Sequence, residues 1–514
     1  MTTGADLLLE TAVRHGMDVC FANPGTTELD LVAALDRSGR VRTVLGLFEG
    51  VCSGAADGFA RMAGRPALGL FHLGPGFANS LANQHNARRH HTPLVNLIGD
   101  QATWHLEHDA PLTSDIDALT GWCGWTRRAT GPNDVGEALA EAWAVATRGA
   151  GQTASLILPA DTMWSPASAS GPWPTPADDP AVDGSRVDAA ARALRRPGAA
   201  LVAGGARLSE AALAGLARIE AGTGCAVHLT RVARIEVGRH VPTFRELPYF
   251  PEPLRAALAS VEVAVLVGVD EPVTFFGYPD VPSQALPEQA DRVVLAGVDD
   301  PVEATILALA DAVGDDPGTS SARRGAQLPT QPGGPLDPDT LGATVARALP
   351  EGAVVINEAV TSGGPFRGYA DAAAPHTMLP VLGGAIGGGL PSAVGAAVAA
   401  PDRPVLALQA DGSAAYTVQS LWTMAREHLD VTVVLLSNRR YQILDVELQR
   451  AGMAGLGDVA KGLTDLGRPD LDWVSLAAGF GVPGRRAATA TELADALAEA
   501  LSQPGPHLIE AGLA

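Results

Sequence analysis

Short apolar runs, each followed by an amphipathic stretch with helical spacing, recur along the whole chain. They include Asp18 to Ala22, Val44 to Phe48, Ala67 to Phe71, Leu94 to Ile98, Ala199 to Ala203, Val263 to Val267, Val354 to Ile356, Val405 to Leu408 and Val431 to Leu436. Strands that alternate with helices in this way are joined by crossovers, and so favour parallel sheets with helices on both faces. Two breaks interrupt the pattern. Residues from Ser165 to Asp183 and from about Gly314 to Pro338 are rich in Pro, Gly, Ser and Asp and read as linkers. At 514 residues the chain exceeds a single hydrophobic core. The expectation is an α/β protein of three doubly wound parallel-sheet domains, 1–165, 185–315 and 338–514.

Charge and composition exclude several function classes. A formal charge of −21 provides no basic stripe for nucleic acid and no polybasic surface for an anionic membrane. The uncharged stretch Val381 to Ala400 is too weakly apolar for a spanning helix, and reads as a glycine loop entering a small-residue helix. Met1 to Asp6 carries no secretory signal, and Cys20, Cys52, Cys123 and Cys225 are scattered. Both features lead us to expect a cytoplasmic protein with reduced thiols. Lys461 is the only lysine, so Schiff-base chemistry would have to rest on a residue in a polar stretch.

The segment richest in chemistry is Val405-Leu-Ala-Leu-Gln-Ala-Asp411-Gly412-Ser413, followed later by Val431 to Ser437 and then Asn438-Arg439-Arg440-Tyr441. Each polar cluster follows an apolar strand, at the sheet edge where ligands of open α/β folds bind. Asp411 and Asn438 are 27 positions apart, room for one helix and one strand, so both reach the same edge. A carboxylate, an amide oxygen and a backbone carbonyl, with two diphosphate oxygens and a water, make the octahedral oxygen shell of Mg²⁺. Gly412 allows close approach of a phosphate, and Ser413 can open a helix toward it. Asp-Gly after a strand is, by itself, more often a tight turn; the pairing with Asn438 carries the information.

Asp411-Gly412 and Asn438 resemble the signature of thiamine-diphosphate enzymes, Gly-Asp-Gly followed by Asn-Asn, with Ala410 and Ser437 as departures. The resemblance implies thiamine diphosphate and Mg²⁺, with Asp411, Asn438 and the Arg440 carbonyl as metal ligands and Tyr441 and Ile443 beside the cofactor. It makes the three domains pyrimidine-binding, central Rossmann-like and diphosphate-binding. Gly383-Gly384-Ala385-Ile386-Gly387 resembles the loop whose aliphatic residue, here Ile386, wedges the cofactor into a bent form. Glu49, followed by Ala56-Asp57-Gly58-Phe59-Ala60-Arg61, matches the glutamate that activates the aminopyrimidine. An apolar setting would favour its neutral acid, although a glutamate opening a helix is also favoured by the macrodipole. The family uses the glutamate of one subunit with the diphosphate site of another, which implies a homodimer or a dimer of dimers (a homotetramer).

Asn23-Pro24-Gly25-Thr26-Thr27-Glu28 resembles a loop of benzoylformate decarboxylase, and His72 takes the place of an active-site histidine there. Thr26 keeps a hydroxyl that could hold a substrate carboxylate, whereas Gly277 stands where the decarboxylase has a second histidine. Gly74-Pro75-Gly76 and Asn79 resemble acetolactate synthases instead, but the chain ends at Ala514 without their C-terminal lid. Ile443 and Leu444 replace the glutamate of pyruvate decarboxylases and should make the pocket apolar. The resemblance implies attack of a cofactor ylide on a 2-oxo acid and loss of CO₂ to an enamine. Protonation by His72 would then release an aldehyde, and attack on a second carbonyl would give a 2-hydroxyketone; the first outcome is favoured. Two rivals stand beside this reading. A catalytically silent relative is one; a flavin or nicotinamide protein, suggested by Val202-Ala203-Gly204-Gly205-Ala206, is the other.

Overall fold

The computed structural model describes residues 2–168, 180–314, 327–453, 455 and 457–513. Residues 169–179 and 315–326, within the two expected linkers, lie outside the described residues. Two compact units emerge from the described chain: 2–147, 152–168 and 327–513 form one, and 148–151 with 180–314 form the other.

The larger unit contains two sheets. Strands β1 (Val19–Asn23), β2 (Arg42–Leu45), β3 (Ala67–Phe71), β4 (Leu94–Asp100), β5 (Trp125–Arg128) and β6 (Thr153–Pro159) form a parallel sheet ordered β2-β1-β3-β4-β6-β5. The smaller unit holds β7 (Ala199–Gly205), β8 (Ala226–Val232), β9 (Ile235–Val237), β10 (Arg245–Glu246), β11 (Val263–Val267) and β12 (Asp291–Ala296). Five of these make the parallel sheet β10-β8-β7-β11-β12. Back in the larger unit come β13 (Val354–Glu358), β14 (His376–Pro380), β15 (Val405–Ala410), β16 (Val431–Ser437), β17 (Gly484–Ala487) and β18 (His507–Gly512). They run in the order β17-β18-β16-β15-β13-β14, again with parallel pairing. The α/β class with three parallel sheets is therefore as expected.

Central strands such as β3, β4, β6, β11 and β16 are buried along their whole length, which is why they read as continuous apolar runs rather than as alternating ones. One boundary differs from the sequence reading. The strand expected over Val44 to Phe48 ends at Leu45, and Gly46 to Phe48 bend so that Glu49 opens the helix Glu49–Ala63. That helix is rich in Gly, Ala, Ser and Cys and packs closely on the helix Gly389–Ala399, bringing the two blocks of the larger unit together. The 381–400 stretch is thus a loop and a buried helix. No helix among the described residues is long and apolar enough to cross a membrane. All four cysteines are free and buried, and burial pushes the Cys20 thiol up to about 12.

Candidate active site

At the carboxyl edge of the C-terminal sheet, β15 and β16 are neighbours in register, with Ala410 opposite Leu436. The next residue on the first strand is Asp411, and two beyond Leu436 lies Asn438. Parallel pairing therefore brings them to one place. Asp411 Oδ2 accepts from the Arg439 amide at 2.6 Å and Oδ1 from its neighbour Gly412 at 2.8 Å. Asn438 Oδ1 accepts from the Arg440 amide at 3.0 Å. Arg439, between them, sits at φ 58°, the left-handed region that a non-glycine residue enters only under local constraint. Its carbonyl is taken by Leu466, while no hydrogen bond among the described residues takes the Arg440 carbonyl. Burial pushes the Asp411 carboxyl above the usual range, against the pull of its amide donors, and no cationic side chain among the described residues pairs with it. A buried carboxylate without a counter-charge is costly, and a bound cation would offset that cost.

The Tyr441 ring lies over Gly412, filling the space that the bare backbone was expected to offer a phosphate. Ser413 is buried in the first turn after Asp411. Ile443 is half-buried and Leu444 exposed. The Ser437 hydroxyl, one of the two departures from the signature, is buried without a partner.

The loop from Pro380 to Gly389 connects this edge to the N-terminal block. Its carbonyls are gripped by side chains from the other block. Arg61 donates to Pro380 O (2.7 Å), His85 to Gly383 O (3.0 Å) and Asn86 to Ala385 O (2.8 Å). Asn83 donates both to Gly50 O and to Gly387 O, at 2.8 and 3.4 Å, and Thr417 also donates to Gly387 O. Its amides are gripped from behind. Glu358, at the end of β13, accepts from Gly387, Gly388 and Gly389 at 2.8–3.0 Å and from the Gln409 side chain at 2.8 Å. Among the described residues no hydrogen bond takes the Gly384 carbonyl or the Ile386 amide. These two groups remain in a half-exposed turn where Gly384 has φ 80°.

At the N-terminal end, Glu49 is half-exposed. Its Oε1 approaches Gly76, and Oε2 accepts from Asn79 at 3.0 Å. Both of these neighbours belong to the helix Leu73–His90, and Glu49 is less enclosed than the apolar setting expected for it. Around His72 the enclosure is tighter. His72 Nδ1 lies 2.8 Å from Oε2 of Glu28, which is only 2% exposed. The same carboxylate accepts from the Gly25 amide and the Thr27 hydroxyl at 2.8 and 2.6 Å. An Nδ1 proton shared with a carboxylate leaves Nε2 as the nitrogen that can exchange a proton with a substrate. Asn23 donates to Gly46 O, tying the Asn23-Pro24-Gly25 loop to the bend before Glu49. The hydroxyl inside this cluster is that of Thr27, whereas Thr26 is exposed and its hydroxyl makes no hydrogen bond among the described residues, only its carbonyl accepting from the Leu29 amide.

Residues 2–119 match the thiamine pyrophosphate enzyme N-terminal TPP binding domain, and residues 364–511 the corresponding C-terminal TPP binding domain. Benzoylformate decarboxylase of Pseudomonas aeruginosa is 31% identical, over 97% of this chain and 96% of its own. The chain belongs to the thiamine pyrophosphate enzyme family. A Mycobacterium tuberculosis relative named as an acetolactate synthase large subunit, IlvX, is 48% identical over 99% of this chain and 98% of its own. The solved thiamine diphosphate-dependent 4-hydroxybenzoylformate decarboxylase of Rhodococcus jostii superposes with a TM-score of 0.87, at 26% identity and 99% coverage of both chains.

As a thiamine pyrophosphate enzyme the chain takes thiamine diphosphate as its cofactor, and the residues present fit it. The unpaired Gly384 carbonyl and Ile386 amide offer an acceptor and a donor to a heterocycle, and uncompensated Asp411 offers a seat for a cation. The central-domain glycines behave differently. A side chain on Gly204 would strike the Thr230 carbonyl, and Gly205 lies against Gly268. This glycine pair therefore serves close packing at the carboxyl ends of β7, β8 and β11. Lys461 is exposed on the helix Asp458–Thr464. Sequence reading missed Glu28, Asn83 and Glu358. For Glu358 the only local signal is an acid ending an apolar strand, Val354-Val-Ile-Asn-Glu358.

Proposed function

We propose that this thiamine pyrophosphate enzyme decarboxylates a 2-oxo acid and releases an aldehyde, with Mg²⁺ held by Asp411, Asn438 and the Arg440 carbonyl. The observation that carries the reading is the buried Asp411 carboxylate beside Asn438 at the carboxyl edge of the C-terminal sheet, partnered by backbone amides and by no cationic side chain among the described residues. When bound, thiamine diphosphate supplies a carbon nucleophile for the 2-oxo carbonyl and a sink for the electrons released with CO₂. The chain's own residues do the rest. Glu49 would hold the pyrimidine, Ile386 would pack against the cofactor, and the Asn23-Pro24-Gly25 loop and Thr26 would line the substrate side. His72, oriented by Glu28, delivers a proton from Nε2 to the product.

Support for a subunit-interface site, in a homodimer or dimer of dimers, comes from the apolar side chains exposed near its open side. Leu47, Tyr416 and Leu444 are 46–53% exposed there, and a second copy would cover them. The buried free thiols support a cytoplasmic setting. Joining of two carbonyl compounds is the second reading, favoured by Gly74 to Asn79 in the first turns of the helix Leu73–His90, beside Glu49, and by the acetolactate-synthase naming of the 48% identical relative. The test is to incubate the protein with thiamine diphosphate, Mg²⁺ and a panel of aliphatic and aromatic 2-oxo acids, scoring CO₂ and products. Aldehyde with CO₂ is expected. A 2-hydroxyketone would favour the second reading, and no CO₂ from any acid would defeat both.

A further inference from the structure

Glu358 lies at the carboxyl end of β13, one strand from Asp411, and is 4% exposed. Its two oxygens face four N–H donors and no acceptor: the amides of Gly387 and Gly388 on Oε1, the amide of Gly389 and the Gln409 side chain on Oε2. Such a donor set suits a carboxylate and nothing else of that size, because every lone pair is matched and a protonated oxygen would find no partner. The three consecutive amides would otherwise be free to receive an anionic ligand. Here they are occupied by the protein itself, so they do not serve the cofactor's diphosphate.

What the grip does is fix the backbone immediately downstream of Gly384 and Ile386. Gly387 is held at φ 97° between Glu358 behind it and Asn83 and Thr417 in front. We infer that Glu358 is a positioning residue for the cofactor: by locking Gly387–Gly389 it presents the Gly384 carbonyl and the Ile386 amide to the pyrimidine, without touching the cofactor. This rests on the assignment of that loop to thiamine diphosphate proposed above. The glutamine variant tests it sharply, since a carboxamide of the same shape places an NH₂ against N–H donors and opens the nest.

The full-length protein is compared as wild type and Glu358→Gln by titration calorimetry with two probes, Mg²⁺–thiamine diphosphate and Mg²⁺–inorganic pyrophosphate. The second probe engages only the Asp411 and Asn438 end. Glu358→Gln is expected to weaken thiamine diphosphate binding by on the order of tenfold or more. Pyrophosphate binding should stay as in wild type, while the cofactor-free protein melts modestly lower because buried amides lose an acceptor. Gln409→Leu, which removes one of the four donors and keeps the carboxylate, should show the same pattern with a smaller loss, and carries the test if Glu358→Gln does not fold. Unchanged thiamine diphosphate affinity overturns the inference. So does a parallel loss for both probes, which marks a merely structural carboxylate. A wild-type protein that binds neither probe refutes the parent assignment instead, and this inference with it.

Discussion

Asp57 and Asp411 are 2% and 3% exposed, so burial alone does not distinguish them. Their partners do. Asp57, on the helix Glu49–Ala63, accepts from His90 Nδ1 at 3.0 Å, from the Thr92 hydroxyl at 2.5 Å and from Arg61 at 3.3 Å. Burial alone would raise its carboxyl, yet the His90 and Arg61 groups and these hydrogen bonds hold it down at about 2. His90 Nε2 in turn accepts the Leu382 amide, and Arg61 reaches Pro380, so the network fastens the entrance of the glycine loop. Asp411 has backbone amides as partners and no cationic side chain among the described residues. A buried carboxylate paired with cations is architecture, whereas one at a sheet edge held by amides alone keeps room for a cation.

Each member of the comparison can be broken separately. The largest effect is expected from Asp57→Asn, which strands Arg61 without its carboxylate in the interior; thermal or denaturant unfolding should show a loss of about 3–5 kcal/mol. Little or no loss would mean that the network is not structural. Glu49→Gln belongs to the other class. Turnover should fall on the order of a thousandfold, with melting temperature and cofactor binding retained, and unchanged turnover would remove Glu49 from the chemistry. Asp411→Ala should weaken Mg²⁺-dependent cofactor binding by roughly a hundredfold, read by equilibrium binding with and without chelator; full retention would discredit the metal site.

The smallest effect is in pH dependence, and its sign differs between the two aspartates. The folded value of Asp57 lies below the ordinary 3.8, so its stabilisation is complete above that pH and fades as pH falls from 3.8 toward about 2. Asp57→Asn should lack this acid limb. For Asp411 the folded value is raised, so ionisation costs the cofactor-free protein stability as pH rises through the carboxylate range. Cofactor-free Asp411→Asn should therefore melt higher than wild type at neutral pH and converge with it in acid. Identical melting curves throughout would erase the distinction between the two sites.

Much of this was legible from the chain alone, because the signals are local. A buried parallel strand must be an apolar run, and a polar cluster just beyond it must lie at the sheet's carboxyl edge. Periodicity therefore located three α/β blocks and brought Asp411 and Asn438 together before any coordinates. Phe48, apolar but in a bend, shows the limit of that rule: hydrophobicity reports burial, while hydrogen-bond pairing decides where a strand ends. The partners of each polar group were settled only by tertiary structure. Glycines at or beyond a strand end look alike at Gly204 and at Gly384, yet the first is closed by neighbouring backbone and the second leaves its carbonyl open. Thr27 rather than Thr26 joins His72, and Glu358 grips a loop some thirty residues away, since satisfaction of a buried group depends on atoms brought near by folding and not by sequence distance.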